Sequence, residues 1–202
     1  MMGLELSFLP GSGDLCFPVP PFKIRVADEN GRPVRAGETG ECQIWRRGLS
    51  PHYWKDPLSD QNAAGNALLT EDGWLRTGDL ATKNRLGLVR LVGRMKDVIK
   101  SGGYSVYVRE LEETILSHPA VARTAAFGMG HKEKGEIPVA AVELRLGTHT
   151  SETDLLDWCR KSLAPYKAPR RIWILDAGGL PQNHTGKVMR RILQERFSAE
   201  TE

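Results

Sequence analysis

The spacing of apolar residues changes at Gly93-Arg94, and that change limits what the 202-residue chain can fold into. Before it, short runs alternate apolar and polar residues, as half-buried strands do. Phe22-Lys-Ile-Arg-Val26 and Glu41-Cys-Gln-Ile-Trp45 are such runs, with Asp28-Glu-Asn-Gly31 supplying turn chemistry between them. Leu86 to Val92 predicts a further strand or hairpin arm, and residues 55–73 a polar surface loop. Pro10, Gly11, Gly13, Pro18, Pro20 and Pro21 break the first twenty residues, as in a chain entered in mid-domain.

After Gly93-Arg94, helical spacing appears between strands. Val108 to Ser117 places Leu111 and Ile115 four apart, puts Glu110, Glu112 and Glu113 in its early turns, and stops at Pro119. Val121–Phe127, Pro138–Leu144 and Arg171–Leu175 predict strands. Thr150-Ser-Glu-Thr-Asp154 is a capping signal for a helix with Leu155, Leu156, Cys159 and Leu163 on one face. A last helix is expected over Lys187 to Phe197, with Val188, Ile192 and Leu193 aligned. The expectation is an α+β chain with a boundary at 94–96: a mostly β part, 1–94, and an α+β part, 95–202.

Composition excludes several function classes. The net charge is only +3, so bulk electrostatics do not point to nucleic acid. Cys16, Cys42 and Cys159 are far apart and form no Cys-x-x-Cys pair, giving neither a disulfide framework nor a metal site. His118 is expected to be structural, and His131 and His184 to lie in loops; none pairs at metal-ligand spacing. No apolar run approaches the ~18 residues of a membrane-spanning helix. Met1-Met2-Gly3-Leu4 lacks the basic and apolar segments of a signal peptide, so a cytoplasmic location is expected.

Four stretches in one order carry the chemistry: Gly73-Trp-Leu-Arg-Thr-Gly-Asp79, Gly93-Arg-Met-Lys-Asp97, Ser101-Gly-Gly103 with Glu110-Leu-Glu112, and Thr185-Gly-Lys187. A carboxylate such as Asp79 can accept two hydrogen bonds from vicinal hydroxyls. Paired glycines usually make a turn, but they also let a ligand approach the backbone. A long ammonium such as Lys187 on an exposed turn can stabilise charge developing on phosphate and carboxylate oxygens.

Together these motifs resemble the adenylate-forming superfamily of acyl-CoA synthetases, peptide-synthetase adenylation domains and beetle luciferases. The resemblance runs from about Gly11 to Phe197, with lesser echoes at Tyr53-Trp54, Pro57 and Tyr166-Lys-Ala-Pro169. It implies the end of a large N-terminal domain, with a small barrel-like sheet, followed by a mobile C-terminal lid. Asp79 and Arg94 would hold the nucleotide ribose, Lys96 would be the hinge, and Ser101, Gly102 and Gly103 would line the pantetheine tunnel. Lys187 would be the catalytic lysine. ATP, Mg²⁺, coenzyme A and a fatty or aryl carboxylic acid are the implied cofactors and substrates.

The chain departs from the family where Val108-Arg-Glu-Leu-Glu112 replaces Pro-Ala-Glu-Ile-Glu and where Tyr104 follows Gly-Gly. It holds neither a Ser/Thr/Gly-rich phosphate loop nor an aromatic-Gly-x-Thr-Glu segment. A missing N-terminal portion is therefore the expected partner, and the chain alone is expected not to adenylate. Thr185-Gly-Lys-Val-Met-Arg190 is closer to the CoA ligases than to the Asn-Gly-Lys-Val-Asp-Arg of peptide synthetases. Alternatives are a carrier-loading adenylation domain, a fatty-acyl-AMP ligase, or a non-catalytic truncated paralogue acting as a binding module. Between Arg160 and Arg196, nine basic residues face two acidic ones, a surface that could also attract CoA phosphates.

Overall fold

A computed structural model describes residues 3–5, 15–18, 20–48 and 69–198. Two compact units result, Met1–Lys96 and Asp97–Glu202. The architecture is α+β, with few helices and two sheets.

The first unit is a six-stranded antiparallel sheet built from β1 (Gly3–Glu5), β2 (Leu15–Pro18), β3 (Lys23–Ala27), β4 (Thr39–Trp45), β5 (Leu75–Lys83) and β6 (Val89–Arg94). The strand order is β1-β2-β6-β5-β4-β3. It is open rather than closed, since β1 and β3 end the order among the described residues. Alternation decides its faces: Ile24, Val26, Cys42, Ala81 and Val89 form the apolar core, with Val34, Ile44 and Leu91 against it. The expected strands at 22–26 and 41–45 are present, and Gly31 closes the turn between them by donating its N–H to Asp28. The Leu86–Val92 expectation divides into a turn held by Asn84 and then β6. Of the loop expected at 55–73, residues 55–68 lie outside the described residues, as do Tyr53, Trp54 and Pro57.

A 3-10 turn, Met95–Asp97, spans the division between units, and the second unit opens at its last residue. There follow β7 (Val98–Ser101), β8 (Tyr104–Tyr107), α1 (Val108–Leu116), β9 (Val121–His131), β10 (Gly135–Leu144), α2 (Glu152–Ser162), β11 (Ile172–Leu175) and α3 (Arg190–Ser198). The sheet order is β11-β10-β7-β8, with β9 paired to β10. Ser151 caps α2 as its sequence predicts: its hydroxyl accepts the Asp154 N–H, and the Asp154 carboxylate accepts the Ser151 N–H.

Both faces of this sheet are buried, which explains the unbroken apolar run in β10. On one face, Ala126, Ala140 and Val142 pack with Leu111 and Ile115 of α1 and Leu155 and Cys159 of α2. On the other, Ala125, Phe127, Val139 and Ala141 pack with Leu180, Leu193 and Phe197. Trp173 lies between Phe127 and Phe197, with centroids 6.2 and 4.1 Å away.

Two expectations are corrected. The final helix begins at Arg190 rather than Lys187, because the lysine turn makes its own hydrogen bonds. His131 ends β9 instead of lying in a loop. Gly102-Gly103 is a turn, as paired glycines predict, and it joins the end of β7 at Ser101 to the start of β8 at Tyr104. His118 is structural: its Nδ1 accepts the Ala120 N–H and its ring meets Trp158 edge-on at 5.0 Å.

Cys159 tests the packing of the α2 face. It is fully buried, and burial pushes its thiol up to about 11. Because the thiolate is the reactive form, iodoacetamide at about pH 8 is expected to spare Cys159 in the folded chain. It should label Cys159 only after denaturant unfolds the second unit, which mass spectrometry of the peptide would show.

Candidate functional site

Thr77-Gly78-Asp79 is a bulge in the middle of β5. Gln43 pairs with Arg76 and Glu41 with Leu80, so three residues of β5 stand opposite Cys42 alone. Extra residues of this kind bend a strand and re-aim its side chains. The Thr77 hydroxyl donates to the Cys42 carbonyl at 2.6 Å and accepts the Asp79 N–H at 3.1 Å. The Gly78 N–H donates to Glu41 Oε1 at 3.3 Å.

Asp79 and Arg94 are directly opposed across β5 and β6. Arg94 Nε lies 2.7 Å from Asp79 Oδ1, with the arginine side chain 55% and the carboxylate 23% exposed. One carboxylate oxygen is thus engaged and the pair faces solvent, an arrangement able to offer an acceptor and a cation to one polar ligand.

The bulge rests on a polar relay that the sequence reading did not single out. Glu41 and Gln43 are both buried, on the face of β4 opposite Cys42 and Ile44. Gln43 donates to Glu41 Oε2 at 2.9 Å, and Arg25 Nε donates to Gln43 Oε1 at 2.7 Å. Arg25 also donates to Asp72 at 2.9 Å and covers the Trp74 ring at 4.5 Å. The one signal in the sequence was a carboxylate and an amide, two apart, on a strand whose other face is apolar.

Lys96 is exposed in the 3-10 turn at the end of the first unit. Ser101-Gly102-Gly103 belongs to the β7–β8 hairpin: Ser101 pairs with Tyr104, and Gly102 and Gly103 form the two-residue turn. Their φ angles of 56° and 84° suit glycine, as a tight hairpin of this hand requires. Ser101 is buried, both glycines are exposed, and a Cβ at either would meet nothing within 4 Å. The Gly102 N–H donates to the Lys134 carbonyl at 2.9 Å. Tyr104 stacks on Tyr166 at 4.5 Å beside this turn. Lys167 is bound to Glu110 at 2.7 Å, and that hydrogen bond raises its pKa.

Lys187 is exposed at the end of an ordered turn, residues 181–189. Gln182 bridges Val188, and Met189 donates to the Pro181 carbonyl at 2.8 Å. Asn183, another residue the sequence reading passed over, organises the centre. Its Oδ1 accepts the Thr185 hydroxyl at 2.7 Å, the Thr185 N–H at 3.1 Å and the Lys187 N–H at 2.9 Å. Gly186, with φ 79°, supplies the left-handed residue. At the root, buried Glu143 accepts the Leu180 N–H at 2.8 Å.

The structure therefore brings Asp79 and Arg94 together in one unit. Within the other, the strands of the glycine hairpin and the residues beside Lys187 pack into different apolar clusters. Ile99 and Val106 of the hairpin pack with the α1–α2 face, while Leu180 and Val188 beside Lys187 pack with the α3 face. Among the described residues, no three His, Cys, Asp or Glu side chains converge to hold a metal.

Residues 110–187 match the family described as the AMP-binding enzyme C-terminal domain. Curated relatives of the chain include a long-chain-fatty-acid–CoA ligase of Yersinia pestis, 36% identical over 91% of this chain and 31% of the relative. A probable CoA ligase of Humulus lupulus is 34% identical over 88% of the chain and 32% of the relative. Among solved structures, ATP-bound MatB from Rhodopseudomonas palustris superposes with a TM-score of 0.79 at 28% identity, covering 92% of this chain and 36% of that one. The o-succinylbenzoate CoA synthetase of Bacillus subtilis, in complex with an acyl-adenylate intermediate, gives 0.77 at 31% identity, covering 88% and 34%. The chain spans about a third of the length of these relatives.

Asp72 provides a pH test of the relay. Its hydrogen bonds from Arg25, and then from Thr70, lower its carboxyl from 3.8 to about 2. The folded state then holds this proton less tightly than the unfolded state, whose pKa is about 3.9. The contribution to stability is complete above about pH 4 and lost as pH falls toward about 2. Asp72→Asn is expected to remove that part of the acid dependence, visible as a flatter melting-temperature profile over this range.

Proposed function

We propose that this chain is the working end of an ATP-dependent acid–CoA ligase, acting with an upstream nucleotide-binding portion. In the first half-reaction a carboxylate attacks the α-phosphate of ATP, giving acyl-AMP and pyrophosphate. In the second, the thiolate of coenzyme A displaces AMP to form the thioester. Asp79 and Arg94 bind the ribose, Lys187 stabilises the oxygens on which charge develops, and rotation about Lys96 exchanges one face of the second unit for the other. A cytoplasmic setting and a fatty or aryl acid substrate belong to the same reading.

The observation that carries it is the packing of two motifs against different apolar clusters of one small unit. A turn bearing an exposed, preordered lysine adjoins one cluster, and the strands of an exposed glycine hairpin join the other. A two-step reaction that reuses one active site needs two such surfaces. The CoA-ligase names of the relatives and the ATP-bound and adenylate-bound neighbours support the same chemistry. Mg²⁺ would accompany ATP, and among the described residues no three His, Cys, Asp or Glu side chains converge to hold it.

Lys187→Ala, in the enzyme carrying this chain, is expected to lower carboxylate-dependent ATP–pyrophosphate exchange on the order of 10²–10³-fold. The 202-residue chain alone is expected to give no exchange. Normal exchange by the variant would reject the role of the lysine.

The hairpin separates the half-reactions. Asn tolerates the left-handed backbone of Gly102, and its side chain would enter the open space above the turn. Gly102→Asn is expected to slow thioester formation from preformed acyl-AMP and to leave pyrophosphate exchange unchanged. Equal loss of both would remove the hairpin from the thioester step.

A further inference from the structure

The turn that carries Lys187 runs into α3, whose first residue, Arg190, reaches three other segments. Its Nη2 lies 2.7 Å from Glu112 Oε1 on α1, and its Nε donates to the Ala126 carbonyl of β9 at 2.9 Å. Its Nη1 is 3.7 Å from Asp97, the residue that follows Lys96 and opens the second unit. Glu112 Oε1 also accepts the Ala126 N–H at 2.9 Å. The two side chains therefore satisfy both backbone groups that Ala126 would otherwise leave unpaired beside β10.

This is an unusual place for a cation. The N-terminal turn of a helix carries partial positive charge, and the first turn of α3 holds no acidic residue to offset it. The compensation comes from Glu112 and Asp97, which lie far away in sequence. Arg190, Glu112 and Asp97 are 26%, 21% and 30% exposed, far less than the neighbouring Arg191–Glu195 pair at 78% and 60%. The three contacts leave from three separate nitrogens of one planar fork, a spread that the single nitrogen of lysine does not reproduce.

We propose that Arg190 is a positioning residue for Lys187. With Glu112 and Asp97 it ties the lysine turn to the first residue beyond the hinge, so that the ammonium and the hinge segment move with one fixed geometry. The inference rests on the proposed role of Lys187. A misplacement of about 1 Å at a reacting group can cost on the order of 10²-fold in rate.

The test is ATP–pyrophosphate exchange in the enzyme carrying this chain, comparing Arg190→Met, Lys187→Ala, the double variant, and Arg191→Met as the surface control. Arg190→Met is expected to lower kcat on the order of 10²-fold with KM for ATP unchanged. The double variant should be no slower than Lys187→Ala, and Arg191→Met should match wild type. A wild-type kcat for Arg190→Met, a raised KM in place of a lowered kcat, or additive loss in the double variant would overturn the inference. Normal exchange by Lys187→Ala would instead overturn the reading on which it rests. If Arg190→Met does not fold, Glu112→Gln keeps an acceptor for Ala126, weakens the ion pair, and is judged by the same criteria.

Discussion

Ten residue pairs join β9 to β10, nine of them in unbroken register before a shift at Glu143/Leu144, and helices or loops cover both faces of that ladder. The middle residues, 125–129 of β9 and 137–143 of β10, are therefore buried whichever way they point, and much of the second unit follows from that constraint. The α1 and α2 helices must present apolar stripes to one face, and α3 and the segment before it to the other. The outer edge of β9 must still satisfy its backbone groups, which it does through Glu112, Arg190 and Gln194. The exposed motifs are left at the margins of a unit that is rigid in its middle.

The lysine turn gains from this arrangement. An exposed lysine loses side-chain entropy whenever it is held against a ligand, so a backbone already fixed in place reduces what remains to be ordered. Asn183, Glu143 and the Gln182–Val188 bridge hold the backbone, while the Lys187 side chain projects into solvent. Asp79 is supported differently. Its bulge would leave backbone donors unpaired inside the sheet, and the Glu41–Gln43–Arg25 relay supplies the acceptors and carries the polarity out to Asp72. A buried polar chain of this kind is costly unless every member is paired.

Strands and helices with clear periods stood out in the sequence. Lys23–Ala27, Thr39–Trp45, α1 and α2 fall close to where alternation and capping put them, because those signals are local. Ser151 and Asp154 show it best, since a capping box needs only four residues. The boundary of α3 was misplaced because Val188 suits a helix face and the competing bond from Asn183 to the Lys187 amide has no periodic signature. The β7–β8 hairpin was passed over because its strands are only four residues each, too short to show a period around Gly102 and Gly103.

The sequence by itself determined the α+β class, the change of pattern near Gly93, and the ordered motifs that name Asp79, Arg94, Lys96, Ser101, Gly102, Gly103 and Lys187 as candidates. These depend on residue type and near-neighbour spacing, which a linear reading can see. Only the tertiary structure decided that Asp79 meets Arg94, that Thr-Gly-Asp is a bulge over a buried carboxyl, and that the residues beside Lys187 and the strands of the glycine hairpin pack into different apolar clusters. It alone brought Arg190 to Glu112 and Asp97. Such pairings join residues tens of positions apart, and their partners are chosen by strand register and face, quantities that exist only once the chain has folded.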